Sequence, residues 1–343
     1  MHRNRCAHSF HSRGEHTRRC PNGRRRQVTS IAPSMPSPVT ETRDLTSDAG
    51  TIVLAGPVRR VAIITTGLHP CACYVARRLR DTGVEIAIFS EAPRTSRFGS
   101  IRYLQRLLKR RGWAVFLDNL LLEIVRRLRR AHASRGDADG ERDLPACLRS
   151  DPDILRENWL RVESVARING ADRVRLEQFE PDLVVLAGAP ILSSATIRVA
   201  KVGCLNPHCG ITPRYAGNDP QTWAAFEGLF DEIGFTVHAV VPIVDGGPVL
   251  YQERVSWNAN EPIDHTWPLL AQRMYDQLCD IVMRLIAGEP FAALPQSNVV
   301  PRPPAGFVVR LVAENRRRRY ARRLRAGMQA AAPSRISSGT SSD

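Results

Sequence analysis

Asn206 and His208 stand one residue apart in the run CLNPHC, residues 204–209, and Asp245 follows in VDGGPV, residues 244–249. A carboxamide, an imidazole and a carboxylate suit acyl transfer. The imidazole can take a proton from an attacking amine and return it, and the carboxylate can fix its tautomer or raise its pKa. The Asn amide can donate to an oxygen that gains charge as a carbonyl becomes tetrahedral, which contributes about 3–4 kcal/mol in acyl-transfer sites. No Ser or Cys sits in a nucleophile elbow. Cys209 adjoins His208, but neighbouring side chains on an extended segment point apart. The set points to direct transfer of an acyl group to an amine, with no covalent enzyme intermediate. A plainer reading stands beside it, since Asn-Pro-His can be a turn and Asp-Gly-Gly is ordinary turn chemistry. Among the other histidines, His69 falls in the first strand–helix loop and could line the same crevice. His238, in the apolar run FTVHAVV, reads as a satisfied core histidine, and His265 as the exposed start of a helix.

Such residues need strand ends to hold them. RRVAIITTG contains a short β-branched run, Val61–Thr65, followed by a loop with Gly67 and Pro70. A helix over CYVARRLRDTG stops at Gly83, and VEIAIFS is the next strand. This order opens a doubly wound, mostly parallel α/β sheet of Rossmann type. The pattern resumes with a strand at RVESV, a short helix near 171–179, and PDLVVLAG as a buried parallel strand. A helix started by Ser193 or Ser194, a short strand GCLNPH and a helix at QTWAAFEG follow. Two strands then flank the Asp245 loop, and a long helix runs from Asp264 to Ala287, closed by Gly288. Ligands in such sheets sit beyond the carboxyl ends of the strands, where Asn206 and His208 fall.

The expected organisation is a disordered basic segment over 1–55 and an α/β domain over 56–255. A C-terminal helix and extension cover 256–300, and a flexible Pro/Arg-rich tail covers 301–343. Within the domain, about 96–150 reads as an insertion of two basic amphipathic helices and a polar linker. Residues 96–135 hold eleven Lys and Arg against two acids. One face of those helices should pack on the sheet, with docking to a membrane surface or a partner as the sharper alternative.

The chain carries a net charge of +15 over 343 residues. Residues 1–26 and 310–325 each hold eight Arg against a single Glu, so the body is nearly neutral. Any nucleic-acid contact is therefore expected only through the basic tails. The first segment is poor in acids, as targeting peptides are, but lacks their apolar face, and Met35 offers an alternative start. No apolar run reaches the length of a membrane span. The eight Cys form no Cys-x-x-Cys pair, which suits free thiols in a reducing cytoplasm and no metal site. Nothing in the pattern marks a particular oligomer.

The run from PDLVVLAGAPIL through KVGCLNPHCGITPRYAGNDPQTWAAFEG to GFTVHAVVPIVDGGPVLYQERV resembles the folate-dependent formyltransferases. That family includes glycinamide ribonucleotide transformylase, methionyl-tRNA formyltransferase and the sugar N-formyltransferases. The resemblance covers about 59–300 and is strongest over 181–255. It implies that Asn206, His208 and Asp245 are catalytic, with Pro213 and Gly217 in the matching loop and Gly247 and Pro248 after the Asp. It implies 10-formyltetrahydrofolate as donor, with no metal. The pterin would lie against Ala189, Ile191 and Leu192 on one side and Ile243, Val244 and Gly246 on the other, largely on backbone groups. Asn206 would hold the formyl oxygen, His208 would shuttle protons, and Asp245 would orient His208 or relay through water.

The departures bear on the acceptor. The first loop, TTGLHPCAC, has Leu68, His69 and Pro70 where the glycinamide type has a Gly-rich phosphate loop. The 43 residues after Val300 are too few for the β-barrel of the methionyl-tRNA type. Cys209, Thr212 and Pro190 replace residues frequent in the family. The expected acceptor is the primary amine of a small molecule, a sugar, nucleotide-sugar or metabolite. The alternatives are a methionyl-tRNA formyltransferase-like enzyme and a non-catalytic binding module.

Overall fold

The computed structural model describes residues 51–93, 108–109, 112–132 and 144–331. The basic first segment, most of the first expected amphipathic helix, the polar linker after 135 and the chain beyond 331 lie outside the described residues.

Seven strands form the main sheet: β2 (Arg60–Thr66), β3 (Glu85–Glu91), β4 (Leu160–Val165), β5 (Leu183–Leu186), β6 (Gly203–His208), β7 (Gly234–Ala239) and β8 (Val249–Arg254). Their order is β4-β3-β2-β5-β6-β7-β8. The first five are parallel, and β7 and β8 run antiparallel at one edge. The chain order reverses between β2 and β5, the usual place for a crevice in an open α/β sheet. β2 pairs on both sides and is buried on both faces. Its Val61, Ile63, Ala62 and Ile64 are fully buried, and each large apolar side chain so buried contributes about 1.5–3 kcal/mol.

Side-chain alternation separates two cores. Val61, Ile63, Val185, Leu205, Phe235 and Val237 face a larger one, closed by α1 (Pro70–Leu79) and α6 (Thr266–Ile286). Ala62, Ile64, Val184, Leu186 and Cys204 face a smaller one, which includes Leu176 and Phe179 of α3 (Arg173–Phe179) and the flank of α4 (Ser194–Ile197). The sheet is thus doubly wound and mostly parallel, as the strand–helix alternation requires. Ser193 is the N-cap of α4, accepting from the Thr196 N–H. Helix α5 (Pro220–Glu227) follows the loop after β6.

Three expectations are corrected. Order begins before residue 56, because β1 (Ile52–Leu54) pairs antiparallel with β9 (Phe291–Ala293). The second basic helix, α2 (Trp113–His132), packs among the described residues chiefly on α7 (Phe307–Ala331) and not on the sheet as expected, and Trp113, Leu117, Leu121, Ile124 and Leu128 are exposed. The segment after 301 is no flexible tail over its described length, since α7 (Phe307–Ala331) is a long helix bound to the body. Ala313, Arg317 and Ala321 recur every fourth residue and are buried. Tyr320 stacks on Phe230 at 4.4 Å between ring centroids. Arg317 is held by Glu314 and donates to the Ala259 carbonyl. Its buried stripe is made of alanines and an arginine stem, which carry little hydrophobic signal in sequence.

Candidate active site

Strand β6 ends in Asn206, Pro207 and His208. Positions 206 and 208 share the face of Cys204, toward the smaller core. His238 of β7 is the registered partner of Asn206, so it projects from the same face. Beyond the edge of the apolar cluster this face therefore becomes polar. The β7–β8 register shifts between Val237 and His238, a bulge of the kind that re-aims side chains beside sites.

Asp245 closes the set from the turn between β7 and β8. Its Oδ1 accepts from Asn206 Nδ2 at 3.3 Å, and its Oδ2 accepts from the Gly217 N–H at 2.8 Å. His208 Nδ1 lies 3.4 Å from Oδ2, and His238 Nε2 lies 3.5 Å from Oδ1. Asp245 has φ 51, a left-handed conformation that costs a non-glycine residue about 1–2 kcal/mol. Gly247 fits only without a side chain, since a Cβ there would stand 1.7 Å from the Ala239 carbonyl oxygen.

The hydrogen bonds assign the tautomers. His208 Nε2 faces the Tyr215 carbonyl at 2.8 Å, so it donates there and leaves the Nδ1 lone pair toward Asp245. His238 Nδ1 donates to the Ala239 carbonyl at 2.8 Å, and its Nε2 accepts from Asn206 Nδ2 at 3.1 Å. Both hydrogens of the Asn206 amide are thereby engaged, one by Asp245 and one by His238. Gly210 makes the His208–Tyr215 contact sterically feasible, because a Cβ on it would stand 2.4 Å from the Tyr215 oxygen.

His208 is 7% exposed and His238 2%. Burial pushes the His208 pKa below its ordinary 6.5, and the Asp245 charge offsets this only in part. Burial pushes Asp245 upward, but His238, His208 and the Gly217 N–H outweigh it and hold the carboxyl below its usual range. A neutral imidazole thus faces an ionised carboxylate. A proton arriving at Nδ1 would find its counter-charge already in place, which is what a general base requires.

The residues expected to hold the donor fall in two loops. Ala189 and Leu192 belong to or border the smaller core, Leu192 being buried, so Leu192 can offer a ligand only its backbone. Ile191 is 73% exposed, and its carbonyl is held by Asn169 Nδ2. Ile243 is 56% exposed, next to the partly buried Val244 and Gly246. Ile191 and Ile243 thus stand exposed on two separate loops, one after β5 and one between β7 and β8. Among the described residues no group of His, Cys, Asp or Glu could hold a metal ion, and the six cysteines there are free.

His69 is not part of the polar cluster. It is the N-cap of α1, its Nδ1 accepting from the Cys71 N–H at 3.2 Å. Its ring lies against Gly188 of the β5 loop, where an added Cβ would be 3.1 Å away. His238 is a buried, hydrogen-bonded histidine, as its apolar strand suggests, and only its pairing with Asn206 across β6 and β7 brings it beside Asp245.

A profile of the formyl transferase family matches residues 154–277, which include β4 to β8 and the whole Asn206–His208–Asp245 set. The chain is 31% identical over 129 residues to a methionyl-tRNA formyltransferase of Halalkalibacterium halodurans, covering 37% of this chain and 40% of that protein. It is 27% identical over 134 residues to a GDP-perosamine N-formyltransferase of Brucella melitensis, covering 38% of this chain and 51% of that one. It therefore matches about half the length of these relatives or less. A sugar N-formyltransferase structure from Shewanella aligns over 75% of this chain and 87% of that one, with a TM-score of 0.46 and 14% identity. Residues 154–277 are therefore similar to the formyl transferase family, and the match covers a little over a third of this chain.

Proposed function

We propose that the protein moves a formyl group from 10-formyltetrahydrofolate to the primary amine of a small molecule, such as an amino sugar, nucleotide-sugar or metabolite, in the cytoplasm. The observation that carries this reading is the convergence of Asn206 and His208 on the Asp245 carboxylate. The donor, when bound, supplies an activated one-carbon unit on nitrogen. One hydrogen of the Asn206 amide turns from Asp245 or His238 to the formyl oxygen and stabilises the charge that develops there. His208 accepts the amine proton at Nδ1, with Asp245 balancing the imidazolium. The same proton then passes to the departing folate nitrogen as its bond to the formyl carbon breaks, so the site ends as it began.

The first loop supports an acceptor that is not anchored by phosphate at α1. Pro70 has no N–H, the Cys71 N–H is taken by His69 Nδ1, and the Ala72 and Cys73 N–H groups point to the His69 carbonyl. A helix start with its donors already used offers little to an anion. A mass-spectrometric screen of amines with 10-formyltetrahydrofolate tests the reading. A gain of one formyl group on an amino sugar or metabolite supports it, and turnover of no small amine overturns it.

One observation favours a second reading, a methionyl-tRNA formyltransferase-like enzyme. Arg319, Arg322, Arg323 and Arg325 on α7 are exposed and have no ion-pair partner among the described residues. RNA binding that weakens steeply with salt, and that is lost when these four become Gln, would favour it. Substitution is the cleaner test, because α7 is packed on the body and its deletion would expose Phe230.

A further inference from the structure

The Asp245 hub depends on two stretches of backbone that belong to no strand or helix. One is the turn at 245–247, and the other is the stretch 216–219, whose Gly217 N–H donates to Asp245 Oδ2. Each carries a non-glycine residue in the left-handed region, Asp245 at φ 51 and Asp219 at φ 52. Such conformations persist only where the surroundings enforce them. Both stretches take hydrogen bonds from one further place, residues 296–310, which lie outside the segment matched by the formyl transferase family.

Gln296 Nε2 donates to the carbonyls of Asp245, at 3.2 Å, and Gly247, at 2.5 Å, and so spans the turn. The Arg302 N–H donates to the Ala216 carbonyl at 2.8 Å, and the Asn218 N–H donates to the Arg302 carbonyl at 3.1 Å. This short ladder brackets Gly217. The approach is so close that a Cβ on Gly217 would stand 2.5 Å from the Arg302 oxygen. Asp219 shows the same allegiance. It occupies the N-cap of α5 but makes no capping bond to that helix. Its carboxylate instead accepts from the Ala305 N–H at 2.8 Å and from Arg310 Nη2 at 2.6 Å.

We propose that the segment 296–310 is a working part of the active site, holding the Asp245 carboxylate and the Gly217 N–H in register, with Gln296 and Asp219 as positioning residues. The inference rests on the formyl-transfer reading for its kinetic consequence, but not for its geometry. Without the Gln296 bridge the turn relaxes and the carboxylate moves off His208 Nδ1. Misplacement of a catalytic group by about 1 Å can cost roughly 100-fold in rate. A displaced carboxylate also withdraws the charge that partly supports the His208 pKa, so the imidazole titrates at lower pH.

The test uses full-length protein carrying Gln296→Leu, Asp219→Ala or Asp219→Asn. Transfer from 10-formyltetrahydrofolate to the amine found in the acceptor screen is followed against pH. The His208 imidazole is followed by NMR titration, and melting is recorded alongside. For Gln296→Leu and Asp219→Ala, kcat is expected to fall by about 10-fold to 100-fold, with the donor KM within about threefold. The acid limb and the His208 titration should both move to lower pH. Asp219→Asn keeps an acceptor and tolerates positive φ, and it should recover much of what Asp219→Ala loses. A purely structural role would lower the melting temperature without moving the His208 titration. Wild-type turnover with Gln296→Leu and Asp219→Ala both within twofold overturns the inference and leaves the formyl-transfer reading intact. If wild type turns over no amine, that reading fails and the His208 titration decides alone. A shift to lower pH in Gln296→Leu supports the positioning role, and an unchanged titration overturns it.

Discussion

The loop after β2 and the turn before β8 both bend the chain beside the sheet, yet they use their polar groups in opposite ways. In the first, His69 caps α1, Thr66 N–H donates to the Gly188 carbonyl at 3.0 Å, and the Gly67 N–H donates to the Glu91 carbonyl at 2.8 Å. The N–H groups of Thr66, Gly67, His69, Cys71, Ala72 and Cys73 all have acceptors. In the second, a left-handed Asp245 gathers a carboxamide, two imidazoles and one backbone N–H around a single, mostly buried carboxylate. The first loop is quiet backbone chemistry at the switch point of the sheet. The second concentrates charge, burial and strain, the combination that shifts pKa values and marks reactive sites. A crevice located by topology alone would centre on β2 and β5, whereas the polar cluster lies one strand further along.

The comparison is sharpest at His208. His208→Ala is expected to lower kcat by about 100-fold to 10,000-fold, and full activity in that variant would remove the contrast. Asn206→Ala should cost about 100-fold to 1,000-fold in kcat, with the loss in kcat rather than in the donor KM. The pH dependence comes next. Because burial lowers the His208 pKa below 6.5, turnover should hold through neutrality and fall on an acid limb below that value. The same shift makes the neutral imidazole favour the folded state. This stability is complete above 6.5 and is lost as pH falls through the lower folded pKa, which an acid melting series with His208→Asn as control can check. The smallest effect belongs to the first loop. His69→Ala removes a cap and should cost about 1 kcal/mol of stability, with kcat changed less than threefold. A larger loss of turnover would place that loop in the chemistry after all.

Much of this arrangement is legible in the residues. The alternation of β-branched runs with helical spacing specifies a doubly wound sheet, because each strand buried on both faces must be apolar throughout, as Val61 to Ile64 are. Asn206 and His208 read as a pair because a period of two puts them on one face. Two features were not legible. His238 looked like a core histidine, since only its pairing with Asn206 across the β6–β7 register brings it to Asp245. Helix α7 looked like a loose tail, since its buried stripe of Ala313, Arg317 and Ala321 has almost no hydrophobic contrast with its exposed face.

The sequence by itself determined the seven strands of the main sheet, most of the helices between them and the candidate triad, because those follow from side-chain period and from chemical type at short range. Only the tertiary structure decided which groups meet. Asp245 lies 37 residues from His208 in the chain, and the elements that hold it come from Gly217 before it and Gln296 after it. No local rule reports a hydrogen bond across 51 residues to a carbonyl, because such a bond depends on where the whole sheet places two loops and not on what either loop prefers.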